Sequence, residues 1–316
     1  MARKLADTKK MTREEWVELR RSSIGGSDAG TVMGMNAYSS LITLYADKTG
    51  LSKPIEDNEA MRLGRDLEQY VAERYMEKTG RKVRNDNWMY MHDDYDFITA
   101  NVDRKIVGEN AGLECKTMSS FNGYDLEAGE IPSHYFCQCQ HYMMVMNWDW
   151  MDLAILVFQR GVYVVHVKKN EDFQQALLAA EIEFWQDNVV PKKIPAPDGS
   201  DASIETLKQL YPTATPDSEI EIVGLDQMIA EYKAANDFVK EYEDRKKALQ
   251  SAICAKLGDY ETGTGEVYSC TWKSQSKEAF DSKRFKAEHP DLYAQYTYIS
   301  NYRVFRTKKI RAKKGA

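Results

Sequence analysis

Asp103, Glu114 and Lys116 are the residues whose types and spacing point most directly to chemistry. Asp103 stands eleven positions before Glu114 in the run Glu114-Cys115-Lys116. Residues 97–107 and 113–117 are strand-like, and the turn-rich Gly108-Glu109-Asn110-Ala111-Gly112 lies between them, which predicts a β-hairpin. Strand side chains alternate faces, so Glu114 and Lys116 project from the same side. A hairpin of this length brings Asp103 beside them. Two hard carboxylates can then share a divalent cation, with an ammonium at the edge of the site. Mg²⁺ suits such a site, because it takes one or two carboxylates and keeps its other positions for water and phosphate. This is the minimal equipment for metal-assisted phosphodiester hydrolysis. Standing alone the pattern is short, and a charged hairpin is more often a solvated sheet face.

Periodicity identifies the elements that must position these groups. Residues 57–79 form an amphipathic helix with Met61, Leu63, Leu67, Val71, Tyr75 and Met76 at its apolar positions, stopped by Gly80. Glu68 lies four residues after Gly64 on one side of it. Glu68 is either a surface carboxylate among Arg65, Asp66 and Glu73, or a further acid near the metal, with Gly64 allowing close backbone approach. Residues 132–146 form a second helix opened by Pro132, and Gln138 and Tyr142 share one of its faces. A Gln there can hold a phosphate oxygen or an attacking water. Near the start, Arg20 and Arg21 lead into Ile24-Gly25-Gly26-Ser27, with Ser27 a candidate N-cap. A helix N-terminus with hydroxyls and an Arg nearby suits an anion.

Composition bounds the rest. The 316 residues suit one large domain or two modest ones, and 43% hydrophobic content is that of an ordinary globular protein. No apolar run reaches membrane-spanning length, and the first residues lack a signal peptide's apolar stretch. The five cysteines are scattered without zinc spacing, so reduced thiols in a cytoplasm are expected. A net charge of −6 argues against indiscriminate DNA coating but not against a DNA enzyme, because local fields steer a polyanion. Further strands are expected at 151–157 and 162–167, and a helix at 171–188. Residues 191–217, rich in Pro, Asp, Ser and Thr, read as a linker. A long helix follows at 225–257, its apolar stripe interrupted by Asn236 and Lys246. Strands at 267–272 and 298–305 then flank a short helix at 281–288. Arg303, Arg306, Lys308, Lys309, Arg311, Lys313 and Lys314 form a basic tail that either tracks phosphates or is a solvated end.

Taken together, these blocks resemble the YqaJ-type phage recombination nucleases, relatives of the bacteriophage lambda exonuclease in the restriction-endonuclease-like PD-(D/E)xK superfamily. The resemblance runs through Arg20…Ile24-Gly25-Gly26-Ser27-Asp28-Ala29, Tyr45-Ala46-Asp47-Lys48-Thr49-Gly50, Gly64-Arg65-Asp66-Leu67-Glu68, Asn101-Val102-Asp103, Leu113-Glu114-Cys115-Lys116 and Gln138-Cys139-Gln140-His141-Tyr142-Met143. It covers about the first 190 residues in the family's order, which makes it more specific than any single block. It implies an α/β (α+β) fold, with a central mixed sheet flanked by helices forming a nuclease core over 1–195. A linker over 196–217 and an extension over 218–316, with a long helix, a small α/β part and the basic tail, complete the expected organisation. By the resemblance, Glu68, Asp103, Glu114 and the carbonyl of Cys115 hold Mg²⁺, with Mn²⁺ able to substitute. Lys116 and Gln138 complete the catalytic set, with Gln140 the rival for Gln138. Arg20 and Ser27 bind a terminal 5′-phosphate, and Asn101 stands where the lambda enzyme has a Ser. The implied activity is 5′-to-3′ exonuclease action on linear double-stranded DNA. It leaves 3′ single-stranded tails for a phage-type annealing protein, and the enzyme works as a ring-shaped trimer in a bacterial or phage-infected cell. The alternatives are a structure-specific or nicking endonuclease on the same fold, or a non-catalytic DNA-binding recombination protein.

Overall fold

The computed structural model describes residues 2–52, 58–121, 123–300 and 302–309. It divides into two units, Met1–Tyr211 and Pro212–Ala316. In chain order the first contains β1 (Arg3–Asp7), α1 (Arg13–Arg21), α2 (Gly26–Val32), α3 (Leu41–Lys48), α4 (Glu59–Thr79), β2 (Val83–Asn85), β3 (Trp88–Met91) and β4 (Thr99–Ala100). Then follow β5 (Arg104–Ile106), β6 (Ala111–Met118), α5 (Ser133–Met146), β7 (Trp150–Val157), β8 (Gly161–Lys168), α6 (Glu171–Phe184) and α7 (Asp201–Leu210). No helix among the described residues is long and apolar enough to cross a membrane.

β7 reads Trp-Met-Asp-Leu-Ala-Ile-Leu-Val, the nearly unbroken apolar run of a strand covered on both faces. Among the described residues it belongs to a mixed sheet of order β2-β5-β6-β7-β8, in which β6 and β7 pair in parallel and the other neighbours antiparallel. Alternate β7 residues face opposite sides. Met151, Leu153, Ile155 and Val157 pack with Cys139, Tyr142, Met143 and Met146 of α5. Ala154 and Leu156 pack with Val71, Ala72 and Tyr75 of α4. The result is helix, sheet, helix, the mixed α/β core expected from the sequence.

Local signals account for the helix ends. Asn58 caps α4 by accepting from the Met61 amide, and Gly80 ends it in the left-handed region that a glycine enters without strain. The expected start at Asp57 lies outside the described residues. Pro132 precedes the first turn of α5. The glycines before and within α2 serve packing. A Cβ on Gly30 would stand 2.6 Å from the Cβ of His134, and one on Gly26 2.4 Å from the Tyr142 ring, so α2 sits against α5 at a distance only glycine permits. Gly64 is different: a Cβ there would make an ordinary 3.9 Å contact with Thr117, so close approach does not explain that residue.

Three expectations about elements change. Residues 97–107 are not one strand, because β4 pairs with β3 in a sheet of order β1-β3-β4, whereas β5 pairs with β6. The chain crosses between the two sheets at 101–103. The expected linker contains α7, whose Ser200 cap accepts from the Ser203 amide and which packs on α3 through a 2.8 Å Thr43–Thr206 hydroxyl contact. The Ser and Asp residues that suggest a linker are helix caps here. The second unit has α8 (Leu225–Leu257), a β9 (Thr262–Thr264) and β10 (Ser269–Thr271) hairpin, α9 (Ser282–Glu288) and α10 (Pro290–Gln295). Residues 298–300 and 302–305 form no strand. Arg311, Lys313 and Lys314 of the expected basic tail lie outside the described residues.

Candidate active site

A cleft of about 500 Å³ opens over the α5 face of β6, and Arg20, Ser27, Asn101, Asp103, Glu114, Lys116 and Gln138 all line it, with Glu68 at its edge. Glu114 and Lys116 reach it because residues two apart on β6 share a face. Asp103 reaches it because the chain has left the ladder. Its carboxylate accepts from the Cys115 amide at 2.8 Å, where a strand would have offered a backbone carbonyl. That bond ties the end of one segment to the middle of β6.

The charges are tightly organised. Glu114 is buried, and its Oε1 accepts from the Lys116 ammonium at 2.7 Å and from the Gln138 amide at 2.6 Å. Burial alone would weaken the Lys116 base, but Glu114 and then Asp103 outweigh it and hold its pKa above the ordinary range, so it stays an ammonium. Asp103 lies at the opposite extreme. Burial, then repulsion from Glu114 and Glu68, pushes its carboxyl well above the usual carboxylate range. Glu114 Oε2 is buried without a hydrogen-bond partner. An orphaned carboxylate oxygen beside a carboxyl that resists ionising is a cavity asking for a cation, and hard oxygen donors match Mg²⁺ or Mn²⁺. The donor chemistry of these residues therefore fits such an ion. Among the described residues no three His, Cys, Asp or Glu side chains are placed to hold one ion. Glu68 is engaged by the buried Arg104 guanidinium, which also donates to the Asp103 carbonyl at 2.8 Å. The side chains that could hold it are Asp103 and Glu114, with Glu68 lining the same cleft.

Gln138 and Gln140 separate clearly. Gln138 donates to both Glu114 and, at 3.1 Å, the Tyr142 hydroxyl. Gln140 is fully buried away from the cleft, donating to the Lys168 carbonyl and accepting from the Asn170 and Gln174 amides. At the other end of the cleft Arg20 donates to Ser27 Oγ and lies 4.7 Å over the Trp16 ring. The Trp16 indole N–H can only donate, and it donates to Asn101 Oδ1 at 3.1 Å. Asn101 therefore keeps its amide hydrogens for another acceptor.

Residues with no assigned role in the sequence reading hold this arrangement. Lys48 is buried and donates to Asp28 Oδ2 at 2.7 Å and to the Arg20 carbonyl at 2.8 Å. Burial would raise the Asp28 pKa, but Lys48 and then Arg20 outweigh it and hold it below the usual range. The pair fastens the end of α1 to the start of α2, and with it Arg20 beside Ser27. Behind α5, fully buried His141 contacts Glu181 Oε1 at 2.7 Å and the Thr99 carbonyl at 2.8 Å. Both partners are acceptors, so the ring carries a proton toward each. Burial would push the imidazolium's pKa down, but Glu181 and the Thr99 carbonyl outweigh it and hold it above the ordinary value. A raised folded-state pKa stabilises fully below the unfolded value of about 6.5 and is lost as pH rises through the folded one. His141→Ala is expected to cost about 3–5 kcal/mol by leaving Glu181 unpaired. In urea titrations the gap from wild type should narrow as pH rises above about 6.5. A gap that widens with pH would contradict the charged pair. Both residue blocks, Ser27-Asp28…Lys48 and Gln140-His141-Tyr142, were visible in the sequence, but their partners were not.

Comparison with known proteins adds the following. The YqaJ-like viral recombinase domain family matches residues 15–149. A Bacillus subtilis (strain 168) protein described as "Uncharacterized protein YqaJ" is 34% identical over 311 residues, covering 97% of each chain. Among solved structures, an alkaline exonuclease from Laribacter hongkongensis aligns with a TM-score of 0.47 at 18% identity, over 57% of this chain and 94% of its own. A phage-related exonuclease from Haemophilus somnus 129PT aligns with a TM-score of 0.40 at 12% identity, over 54% of this chain and 96% of its own.

Proposed function

Because this chain belongs to the YqaJ-like viral recombinase family, we propose that it is a divalent-metal-dependent exonuclease that degrades linear duplex DNA 5′ to 3′. The product would be a 3′ single-stranded tail for an annealing protein, and the working form a ring-shaped trimer. The observation that carries the reading is the cleft itself. One protonated Lys, one orphaned carboxylate oxygen and one carboxyl that resists ionising converge where Arg20 and Ser27 also open.

Asp103, Glu114 and the Cys115 carbonyl would hold Mg²⁺ or Mn²⁺. An ion held there would supply a water of lowered pKa and positive charge against a phosphate. The chain's own residues supply the rest. Lys116, kept charged by Glu114, places a compact ammonium against the phosphate oxygens, where charge grows in the transition state. Gln138 spends its amide on Glu114 and Tyr142, so what it offers the cleft is its carbonyl oxygen, an acceptor that can orient a water. Arg20 presents a guanidinium that lies over the Trp16 ring, and Ser27 adds a hydroxyl. Together they suit the terminal phosphate of a 5′ end. Asn101 has amide hydrogens to contribute to the same group.

Digestion of end-labelled linear duplex tests this. With Mg²⁺, on a duplex whose other 5′ end is blocked, the 5′ label should leave as mononucleotide while the complementary strand stays full length, and closed circular duplex should survive. Cleavage of the closed circle at a comparable rate would replace the exonuclease reading with an endonuclease on the same fold.

A further inference from the structure

Lys116 lines the cleft, and its ammonium lies 5.3 Å from the centroid of the Tyr135 ring. Tyr135 belongs to a second cavity, of about 360 Å³, which shares no lining residue with the first. Both cavities follow the same groove between β6 and α5. β6 gives Glu114 and Lys116 to the first and Thr117 and Met118 to the second. α5 gives Gln138 and Tyr142 to the first and His134 and Tyr135 to the second. The Lys116–Tyr135 pair therefore stands between two chambers in line.

The second chamber is furnished with rings. His134 and Tyr135 have centroids 4.4 Å apart, and Tyr38 meets His134 edge-on at 6.1 Å. Tyr38 is 80% exposed, so its ring contributes little to the fold where it stands. His134 is fixed from behind, because Gly30 lets α2 close directly onto its backbone. Burial and then Lys116 push the His134 pKa down, which leaves a neutral ring. Neutral aromatic rings suit the face of a base better than they suit a phosphate.

An exonuclease must hold the bond it breaks with nucleotide on both sides. Resting on the proposed function, we infer that this second chamber is a base-stacking subsite for the nucleotide 3′ of the scissile phosphate, with Tyr38 as its platform and His134 and Tyr135 as its wall. The terminal nucleotide lies toward Arg20 and Ser27, the scissile phosphate meets Lys116, and the next base leaves the duplex to stack on Tyr38. That base becomes the new terminus after each cut, so the subsite also holds the strand between cuts.

The test compares cleavage after the first nucleotide of a 5′-phosphorylated, end-labelled linear duplex with Mg²⁺, using either an intact or an abasic second nucleotide. On the intact end Tyr38→Ala should lower kcat/KM about tenfold, and the abasic substitution should slow wild type by a similar factor. On the abasic end the variant and wild type should be equally slow, because the lost stacking is counted only once. Tyr38→Phe, which keeps the ring, should follow wild type on both substrates. Equal loss for Tyr38→Ala on both substrates, or none on the intact end, would overturn the subsite alone. Wild type that cleaves neither substrate would overturn the nuclease reading and the subsite with it.

Discussion

Lys116→Ala is expected to reduce cleavage of linear duplex by about 10³-fold or more while changing DNA affinity by less than about tenfold. The asymmetry follows from where the charge sits. The ammonium is mostly buried, 2.7 Å from Glu114 Oε1, beside a carboxyl that resists ionising. It therefore cannot serve as a general base at neutral pH, and on the proposed function its contribution would be electrostatic, greatest where a phosphate gains charge. On the proposed function, DNA affinity would come instead from many phosphate contacts, of which this would be one. Lys116→Arg should not restore the rate, because a planar guanidinium is wider than the point charge that fits between Glu114 and Tyr135. Lys116→Ala also strips Glu114 of its partner, so thermal unfolding must accompany the rate measurement. A folded variant that retains more than a tenth of wild-type kcat would remove Lys116 from the chemistry.

What the sequence disclosed and what it hid divide along a physical line. Elements with strong local signals were legible: α4 with its Gly80 stop, α5 after Pro132, β7 with its unbroken apolar run, and α8 with its own periodicity. The Glu114–Lys116 pair was legible because strand alternation puts both on one face. Hidden were the facts that depend on which elements meet. Asp28 and Lys48 are 20 residues apart and His141 and Glu181 are 40 apart, and no local pattern says that they pair. Arg104 reads as a strand cation next to Asp103, yet it pairs with Glu68 across 36 residues at the lining of the cleft. Residues 97–107 look like one strand because both halves alternate, and only the competition between two sheets breaks them at 101–103. That break is what frees the Asp103 side chain to bond the Cys115 amide. A feature that weakens the local pattern thus assembles the site.

Asp103→Asn should abolish cleavage and, in metal-free protein, raise the melting temperature. In the unfolded chain an Asp ionises near pH 3.9. In the fold, burial and then Glu114 and Glu68 raise that value, so the ionised form costs stability. The cost grows as pH rises from the unfolded toward the folded pKa, and stays in full above it. Asn has the same shape, can still accept from the Cys115 amide, and carries no charge into that field. Each kcal/mol recovered should show as about 2–4 °C for a unit of this size. A divalent ion reverses the comparison. Held by Asp103 and Glu114, it would remove the penalty in wild type, and at a hundredfold excess over Kd it would add about 2.7 kcal/mol. Mn²⁺ or Mg²⁺ should therefore raise the wild-type midpoint by several degrees and move Asp103→Asn far less. Calorimetry with and without chelator reads both effects in the same experiment. A metal-free Asp103→Asn protein that melts below wild type would mean the carboxylate is held comfortably by its neighbours, and equal responses to the ion would place the metal elsewhere.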